Sequence, residues 1–472
     1  MVQYSFDYLC QMMDKYINKK IAVGLSGGVD SSVALWLLKQ QGYDVFALFM
    51  QNWHDTTGTL HGECEWEEEL QVAKMVAKKV DVPFHFVDLS KEYRKQVVDY
   101  MFDEYDKGRT PNPDVLCNSK IKFAAFLRYA KELGADYVAT GHYCQQDEFV
   151  DANGKSIYKI ISGTDKNKDQ TYFLCQLTQE QLSMSMFPIG HLCKPEVRKI
   201  AAAAGLPSAD KKDSQGICFV GKVDLPIFLQ QKLKAKEGRV IEIFKDFYDH
   251  LEGYPGYAPN MNFEEESHQE GRDIIMHAAD VNADSKIMAD KQNSNKYNDF
   301  SLEKNDCISE NSLCEMAYEY EYKSSDGKDI GKHFGAQFFT IGQRKGLNIG
   351  GHKESIFVIH TDIKNNLIYV GQGHHFPGLL RKALFIQSKE IHWIREDLKM
   401  ELGEAREYLV RIRYRQPLQK AVLFRRSNGI YIIFKEYQRG ISAGQFAAWY
   451  SVDDLEMLGS GVIFSIYPPK KH

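Results

Sequence analysis

The stretch KIAVGLSGGVDSSV, residues 20–33, decides how the first part of the chain folds. Residues 21–25 form a short apolar run typical of a buried parallel strand, and the run stops at Ser26, Gly27 and Gly28. The following residues favour a helix, with Asp30 and hydroxyl side chains in its first turn. A glycine turn between a strand and a helix aims unpaired N–H groups and the positive end of the helix dipole at one point. We therefore predict an anion site at this turn.

The turn differs from the two best-known phosphate loops. It has neither the Gly-Lys-Ser/Thr ending of a Walker A loop nor the G-x-G-x-x-G spacing of a dinucleotide fold. The motif SGGVDSS, residues 26–32, resembles the pyrophosphate loop of the ATP pyrophosphatase family. That resemblance implies that ATP is cut between its α and β phosphates, so that a substrate oxygen is adenylated and pyrophosphate leaves.

Strand and helix patterns alternate through the first 140 residues. Further strands are predicted at 43–50, 83–89 and 135–140, and helices at 65–79, 92–105 and 118–133. This alternation predicts an α/β fold with a doubly wound parallel sheet. Ligands of such sheets bind at the carboxyl ends of the strands, so Met50, Gly141 and His142 are expected near a nucleotide pocket.

The remainder of the chain divides by charge and pattern. We predict a catalytic pyrophosphate-loop domain over 1–222, a small central domain over 223–380 with an acidic insertion at about 246–325, and a C-terminal β-barrel over 381–472. Residues 243–330 contain 8 basic and 20 acidic residues, whereas residues 331–472 contain 21 basic and 12 acidic ones. Short apolar runs from residue 337 onward, beginning with FFTI at 338–341, predict the β-structure. The basic run RIRYRQ at 411–416 suits phosphate contacts and base stacking, although a solvated strand face also fits it.

Composition predicts the cellular compartment of the protein. The chain has 472 residues, a net charge of −5 and no apolar run of membrane-spanning length, and its first 20 residues show no signal-peptide pattern. Nine scattered cysteines argue against a secreted disulfide framework. We therefore expect a cytoplasmic protein with thiols free for chemistry and no membrane partner.

Two cysteine motifs carry candidate chemistry. In GRTPNPDVLCN, residues 108–118, Asp114 and Cys117 stand three residues apart, which places them on one side of a helical turn. A carboxylate beside a thiol supplies an acid/base next to a nucleophile, and a helix N-terminus favours the thiolate. Cys218 in GICFVG, residues 216–221, is a second candidate. Inert packing is the alternative for both cysteines.

Taken together, these motifs closely resemble the tRNA-specific 2-thiouridylases. The likeness continues through ATGHY at 139–143, KDQTYF at 168–173, FPIG at 187–190, TIGQRKG at 340–346 and RYRQ at 413–416. It covers the chain except for the acidic insertion. The chain departs at 443–445, where AGQ replaces the family's usual Pro-Gly-Gln.

The resemblance implies ATP-dependent sulfur transfer to C2 of the wobble uridine of tRNA. Cys218 would carry a persulfide, Cys117 would attack or release the sulfur by forming a disulfide with Cys218, and Asp114 would act as acid/base. ATP, with Mg²⁺, would be bound by Gly24, Leu25, Ser26, Gly27, Gly28, Val29, Asp30, Ser31, Met50 and Gly141. The flipped base would contact Asn112, Pro113 and Asp114. The rest of the tRNA would contact His142, Lys168, Asp169, Gln170, Arg413, Tyr414 and Gln445. The expected partners are tRNAs with lysine, glutamate or glutamine acceptors and a sulfur donor, either a cysteine desulfurase or a persulfide relay.

Three alternatives remain open from the sequence. Asp114, Cys117 and Cys218 would also suit an iron–sulfur cluster that binds sulfide, although no C-x-x-C pair favours it and no metal site is predicted. Another adenylating enzyme, such as the argininosuccinate- or GMP-synthesising relatives, would share the loop but would not need the two cysteines. A noncatalytic RNA-binding protein would not need the intact loop.

Overall fold

The computed structural model describes residues 18–53, 65–212, 225–251 and 308–469. Within these ranges no helix is both long enough and apolar enough to cross a membrane. The strands form three sheets. The elements of the first sheet and the helices around it are β1 (Lys20–Gly24), α1 (Val29–Gln40), β2 (Asp44–Gln51), α2 (Glu65–Val80), β3 (Phe84–Asp88), α3 (Ser90–Tyr93, Arg94–Val98 and Asp99–Asp106), α4 (Pro113–Leu116, Cys117–Ala125 and Phe126–Glu132), β4 (Tyr137–Ala139), β7 (Ser185–Met186) and α6 (Lys194–Ala203).

The first sheet is entirely parallel and has the order β3-β2-β1-β4-β7. Side chains alternate across it with the two-residue period of a strand. On β1, Ile21 and Val23 pack with α1, α2 and α6, whereas Ala22 packs with α3 and α4 on the other face. Helices on both faces confirm the predicted doubly wound α/β fold.

The second sheet is mixed. Strands β8 (Gly238–Glu242), β9 (Lys328–His333), β10 (Ile356–Asp362) and β11 (Leu367–Gln372) pair in the order β10-β11-β8-β9. The prediction of a strand at FFTI, residues 338–341 between β9 and β10, was wrong. Ala336–Phe338 is a short 3-10 helix, and the backbone N–H of Thr340 donates to Gln343 Oε1 at 3.0 Å. Phe338 is buried in the core around α3, so its apolar side chain marks a contact between sheets.

The third sheet closes into the predicted C-terminal barrel. The six strands of the barrel are β12 (Leu380–Trp393), β13 (Ala405–Arg411), β14 (Gln419–Arg426), β15 (Gly429–Arg439), β16 (Phe446–Tyr450) and β17 (Glu456–Phe464). The order β12-β15-β14-β13-β16-β17 is closed by pairing of β12 with β17. A hairpin of β5 (Cys144–Val150) and β6 (Ser156–Ser162) extends the same sheet, because Ile160 and Ile161 pair with Met457 and Glu456.

The described ends of the acidic stretch are folded, while its predicted bounds stay a prediction. The 3-10 helix Lys245–Leu251 and α8 (Glu310–Ala317) both lie inside the predicted insertion at 246–325. Leu313 of α8 is fully buried against the outside of the barrel. The hydroxyls of Tyr248 and Tyr322 are hydrogen-bonded, so the chain leaves and re-enters this region at one point. The remaining short helices are α5 (Gln179–Ser183) and α7 (Leu225–Gln230).

Candidate active site

The 26–28 turn is built as the sequence predicts. Gly27 has a φ of +78°, and a Cβ on it would lie 2.4 Å from the carbonyl oxygen of Glu69 in α2. Gly28 is the N-cap of α1, and the Ser32 hydroxyl donates to its carbonyl at 2.8 Å. The backbone N–H of Ser26 donates to Ser31 Oγ at 3.2 Å, which ties the turn to the helix. The first N–H groups of α1 have no partner within the helix, so the turn suits an anion.

The other predicted ATP residues surround this turn. Gly24 ends β1, and Gly141 follows β4, the neighbouring strand. A Cβ on Gly141 would lie 2.7 Å from the backbone nitrogen of Ser31, so glycine permits the close approach. The side chains of Leu25, Val29 and Met50 are buried in the core, so contact with ATP would come from their backbone groups or a small exposed fraction.

Asp30 is the centre of a hydrogen-bonded cluster of three side chains that was not predicted from the sequence. Its Oδ1 accepts hydrogen bonds from the Tyr143 hydroxyl and from Lys194 Nζ, each at 2.7 Å. Lys194 begins α6, where a cation is unfavourable to the helix dipole. That unfavourable position is the one signal in the sequence that would have singled it out. Through Asp30, the cluster places an ammonium group beside the phosphate turn.

The second motif begins α4 at the same edge of the sheet. Asn112 is the N-cap, and its Oδ1 accepts from the Val115 N–H at 3.3 Å, while Pro113 occupies the first turn. The helical stretch 113–125 places Asp114 and Cys117 one turn apart, Asp114 half-buried and Cys117 fully buried. Because α4 leads into β4, its N-terminus lies at the carboxyl ends of the strands, where the 26–28 turn also lies.

Two of the other described cysteines, Cys144 and Cys175, are poor nucleophiles. Burial raises the pKa of the Cys144 thiol well above its ordinary value and raises the pKa of Cys175 to about 12. Cys218 falls in 213–224, outside the described residues, so its pairing with Cys117 stays a prediction. Among the described residues, no group of three His, Cys, Asp or Glu side chains could hold a metal ion. This does not decide the iron–sulfur alternative, which includes Cys218.

The residues predicted to touch tRNA after β4 are engaged inside the protein. His142 is buried, its Nδ1 is hydrogen-bonded to Thr140 Oγ1 at 2.7 Å, and burial followed by the charge of Lys122 lowers its pKa well below the usual value. Asp169 is buried and pairs with Arg411 at 3.3 Å. Gln170 Oε1 accepts from a backbone N–H at 3.0 Å, and Lys168 is half-buried. Direct tRNA contact by these four predicted residues stays a prediction.

The barrel residues of the predicted tRNA site also make internal contacts. Arg413 Nη2 donates to the carbonyls of Gly440 at 2.7 Å and Ile341 at 3.2 Å, and burial lowers the pKa of its guanidinium. The ring of Tyr414 lies 4.3 Å from that of Phe173. Gln445 Nε2 donates to the carbonyls of residues 110 and 111. The structure therefore brings the predicted base-contacting loop and the predicted barrel residues together at one junction.

Comparison with known proteins agrees with this architecture. Family models described as tRNA methyl transferase HUP domain, tRNA methyl transferase PRC-barrel domain and aminomethyltransferase beta-barrel domain match residues 19–222, 320–372 and 384–463. A tRNA-specific 2-thiouridylase of Flavobacterium johnsoniae is 51% identical over 94% of this chain and 100% of its own length. One from Christiangramia forsetii is 52% identical over the same shares, and one from Streptococcus thermophilus is 39% identical over 96% and 97%.

The two sets of names differ in the group transferred. The family models cover parts of the chain and carry methyl-transfer descriptions, whereas the relatives cover nearly all of it and are named for thiolation. The full-length relatives decide the family, because they match all three sheets in one alignment. The motif resemblance is thereby confirmed, and the chain belongs to the tRNA-specific 2-thiouridylase family of sulfurtransferases.

Proposed function

We propose that this protein makes 2-thiouridine at the wobble uridine of tRNA by adenylating O2 and then transferring a persulfide sulfur to C2. One observation carries the proposal. The phosphate turn begins α1 and the Asp114–Cys117 segment begins α4, and each helix leads into a strand of one parallel sheet, so both helix N-termini face the carboxyl ends of its strands. This placement would let an ATP-activating group and a candidate nucleophile act on one substrate, as this two-step chemistry requires.

In the first step, the uridine O2 attacks the α-phosphorus of ATP, and the bond to the leaving pyrophosphate breaks. The N-terminus of α1 would hold the negative phosphates. Lys194, held 2.7 Å from Asp30, would add positive charge where the pyrophosphate charge develops. Mg²⁺ would bind together with ATP, because substrate phosphates commonly supply several of its ligands. The Asp30 carboxylate lies at the turn, and its negative charge is paired with the positive charge of Lys194.

In the second step, the terminal sulfur of a Cys218 persulfide attacks C2, and AMP leaves with the former O2. The Cys117 thiolate then attacks the Cys218 sulfur. The sulfur–sulfur bond to the substrate breaks, its electron pair stays on the new thiocarbonyl, and a Cys117–Cys218 disulfide forms. A dithiol reductant would restore both thiols. Asp114, one helical turn from Cys117, would accept the thiol proton.

The substrate and donor follow from the same chemistry. An enzyme that acts on a base edge must take the base out of the stack, so Asn112, Pro113 and Asp114 are proposed to receive the flipped uridine. The proposed substrates are tRNAs with lysine, glutamate and glutamine acceptors. The proposed sulfur source is a cysteine desulfurase or a persulfide relay protein.

The test separates the two steps. We expect wild-type protein to catalyse tRNA-dependent exchange of labelled pyrophosphate into ATP and to yield 2-thiouridine in digested tRNA by mass analysis. Cys117→Ser should keep the exchange and lose 2-thiouridine, whereas Lys194→Met should lose exchange by about tenfold or more, because it removes a charge from the first step. Cys314→Ser, at a half-buried position on α8, is the matched control and should keep both activities. Exchange that does not depend on tRNA, or thiolation that persists in Cys117→Ser, would contradict the proposal.

A further inference from the structure

The loop that precedes α4 is held by the C-terminal barrel. The backbone N–H of Thr110 donates to the Ala443 carbonyl at 2.8 Å. Gln445 Nε2 donates to the carbonyls of Thr110 at 2.9 Å and Pro111 at 3.3 Å. A Cβ on Gly444 would lie 3.0 Å from Thr110 backbone atoms, so the two segments are in close contact. Three successive barrel residues thus bind one short piece of the catalytic loop.

The barrel segment is itself anchored. The N–H of Gly444 donates to the Ile463 carbonyl at 3.0 Å, and the N–H of Ile463 donates to the Gln445 carbonyl at 2.8 Å. Ile463 belongs to β17, a strand of the closed barrel. The Gln445 side chain therefore projects from a backbone tied into a sheet, which restricts its position more than a free loop would.

Two further contacts hold the same loop from other sides. The Thr110 hydroxyl donates to Thr340 Oγ1 at 3.2 Å, from the segment between β9 and β10. The side chain of Asn112 is hydrogen-bonded to the Tyr172 hydroxyl, which donates to the Phe446 carbonyl at 3.0 Å. We call Gln445, Thr340 and Tyr172 the loop clamp. These side chains reach residues 110–112 from the barrel, from the segment between β9 and β10, and from the 3-10 helix Thr171–Leu174.

The position of this loop sets the position of the chemistry. Asn112 caps α4, Asp114 is in its first turn, and Cys117 follows one turn later. Because these residues are consecutive along a helix start, a shift of residues 110–112 moves the carboxylate and the thiol together. Misplacement of a reacting group by about 1 Å costs a rate factor of about a hundred.

We propose that Gln445 is a positioning residue, through which the C-terminal barrel fixes the Asp114–Cys117 helix start in its reactive position. The inference rests on the proposed thiolation and adds a role to the barrel beyond contact with tRNA. The amide of Gln445 satisfies two loop carbonyls at once, and no hydrocarbon side chain of equal length supplies those donors. Loss of the donors leaves the loop free to open and exposes Cys117 more often.

The test compares Gln445→Met with Gln419→Met. Both changes replace an amide by a side chain of similar length, and Gln419, on β14, donates to the carbonyl of Pro417, two residues away in the chain, at 3.2 Å. Three quantities are measured: the rate of iodoacetamide labelling of Cys117 read by peptide mass analysis, the tRNA Kd, and the single-turnover rate of 2-thiouridine formation at saturating tRNA. Urea unfolding of each variant reports global stability.

For Gln445→Met we expect Cys117 labelling to rise by about fivefold or more, since the loss of one hydrogen bond shifts an opening equilibrium by about that factor. We expect the single-turnover rate to fall by about tenfold or more, and the tRNA Kd to stay within about twofold. Gln419→Met should match wild type in all three. Thr340→Val releases the loop from another side and should also raise labelling.

Three results would overturn the inference. One is a raised tRNA Kd with unchanged labelling and an unchanged rate at saturation, which would make Gln445 a tRNA contact only. Another is a parallel loss of stability, ATP exchange and thiolation, which would make it structural. The third is unchanged labelling in both Gln445→Met and Thr340→Val. If wild-type protein makes no 2-thiouridine, the proposed function fails, but the labelling experiment still tests the clamp by itself.

Discussion

At the scale of single residues, Gly27 decides whether the phosphate turn can form. It combines a φ of +78° with a neighbour, the Glu69 carbonyl, that leaves no room for a Cβ. Gly42, just beyond α1, has a φ of +86° and nothing within 4 Å of a built Cβ. Comparison of the two glycines therefore separates backbone strain from steric contact.

We predict that Gly42→Ala costs about 1 kcal/mol of unfolding free energy, because an L-residue in the left-handed region is strained. Gly27→Ala should cost a further 1–3 kcal/mol, roughly the price of overpacking, and should lower tRNA-dependent pyrophosphate exchange by about tenfold or more. Urea unfolding and the exchange assay measure the two effects. Equal costs for both variants, or normal exchange in Gly27→Ala, would show that the Glu69 contact does not shape the loop.

At the scale of elements, the ends of the acidic stretch lie side by side. Besides the Tyr248–Tyr322 hydrogen bond, the ring of Phe247 lies 5.2 Å from that of Tyr320. Residues 252–307 lie outside the description, whereas 3-10 helix Lys245–Leu251 and α8 pack onto the rest of the protein. A deletion can therefore be drawn between two anchored flanks.

We predict that replacing residues 252–307 by a short glycine-serine linker keeps folding and thiolation, because closing a shorter loop between adjacent flanks costs less entropy. Deletion of 246–323 should instead lower the free energy of unfolding by several kcal/mol, roughly the value of burying Tyr248, Leu313 and their neighbours. Urea unfolding and 2-thiouridine analysis distinguish the two. Loss of thiolation in the shorter deletion with unchanged stability would give the acidic segment a functional role.

Comparison of the observed elements with the predicted ones shows which parts of this fold can be predicted from the sequence. Four strands of the parallel sheet were predictable because they are apolar runs between helical patterns, and the barrel because its strands recur at short intervals. The fifth strand, β7, is two residues long and was missed. The β5–β6 hairpin was missed, since β5 is mostly polar and the outer partner of β6 is β17, near the other end of the chain. The Asp30–Lys194 pair was missed because its partners are 164 positions apart, and the place of Lys194 at a helix start does not by itself identify Asp30 as its partner.

At the scale of the whole molecule, buried and half-buried histidines lie in or beside all three sheets. Burial is the largest cause lowering the pKa of each, and the set comprises His142, His191, His333, His360 and His392. In the unfolded chain these rings bind a proton near pH 6.5, whereas in the folded protein they stay neutral to lower pH. The unfolded state therefore binds more protons below pH 6.5, and stability must rise with pH through that window.

We predict that the free energy of unfolding, measured by urea titration, falls steadily from pH 7.5 to 5.5, above the range in which most carboxylates titrate. His142→Asn should reduce the slope, because Asn keeps a polar partner for Thr140 but cannot be protonated on unfolding. His375→Asn, at an exposed position beyond β11, should leave the slope as in wild type. A flat profile over this interval, or equal slopes in the two variants, would mean that the buried rings are already protonated in the folded protein. His142 packs against Phe123 of α4 with ring centroids 6.0 Å apart. Because burial keeps this ring neutral in the folded protein, the helix that carries Cys117 should keep its packing over the same pH interval in every molecule that stays folded.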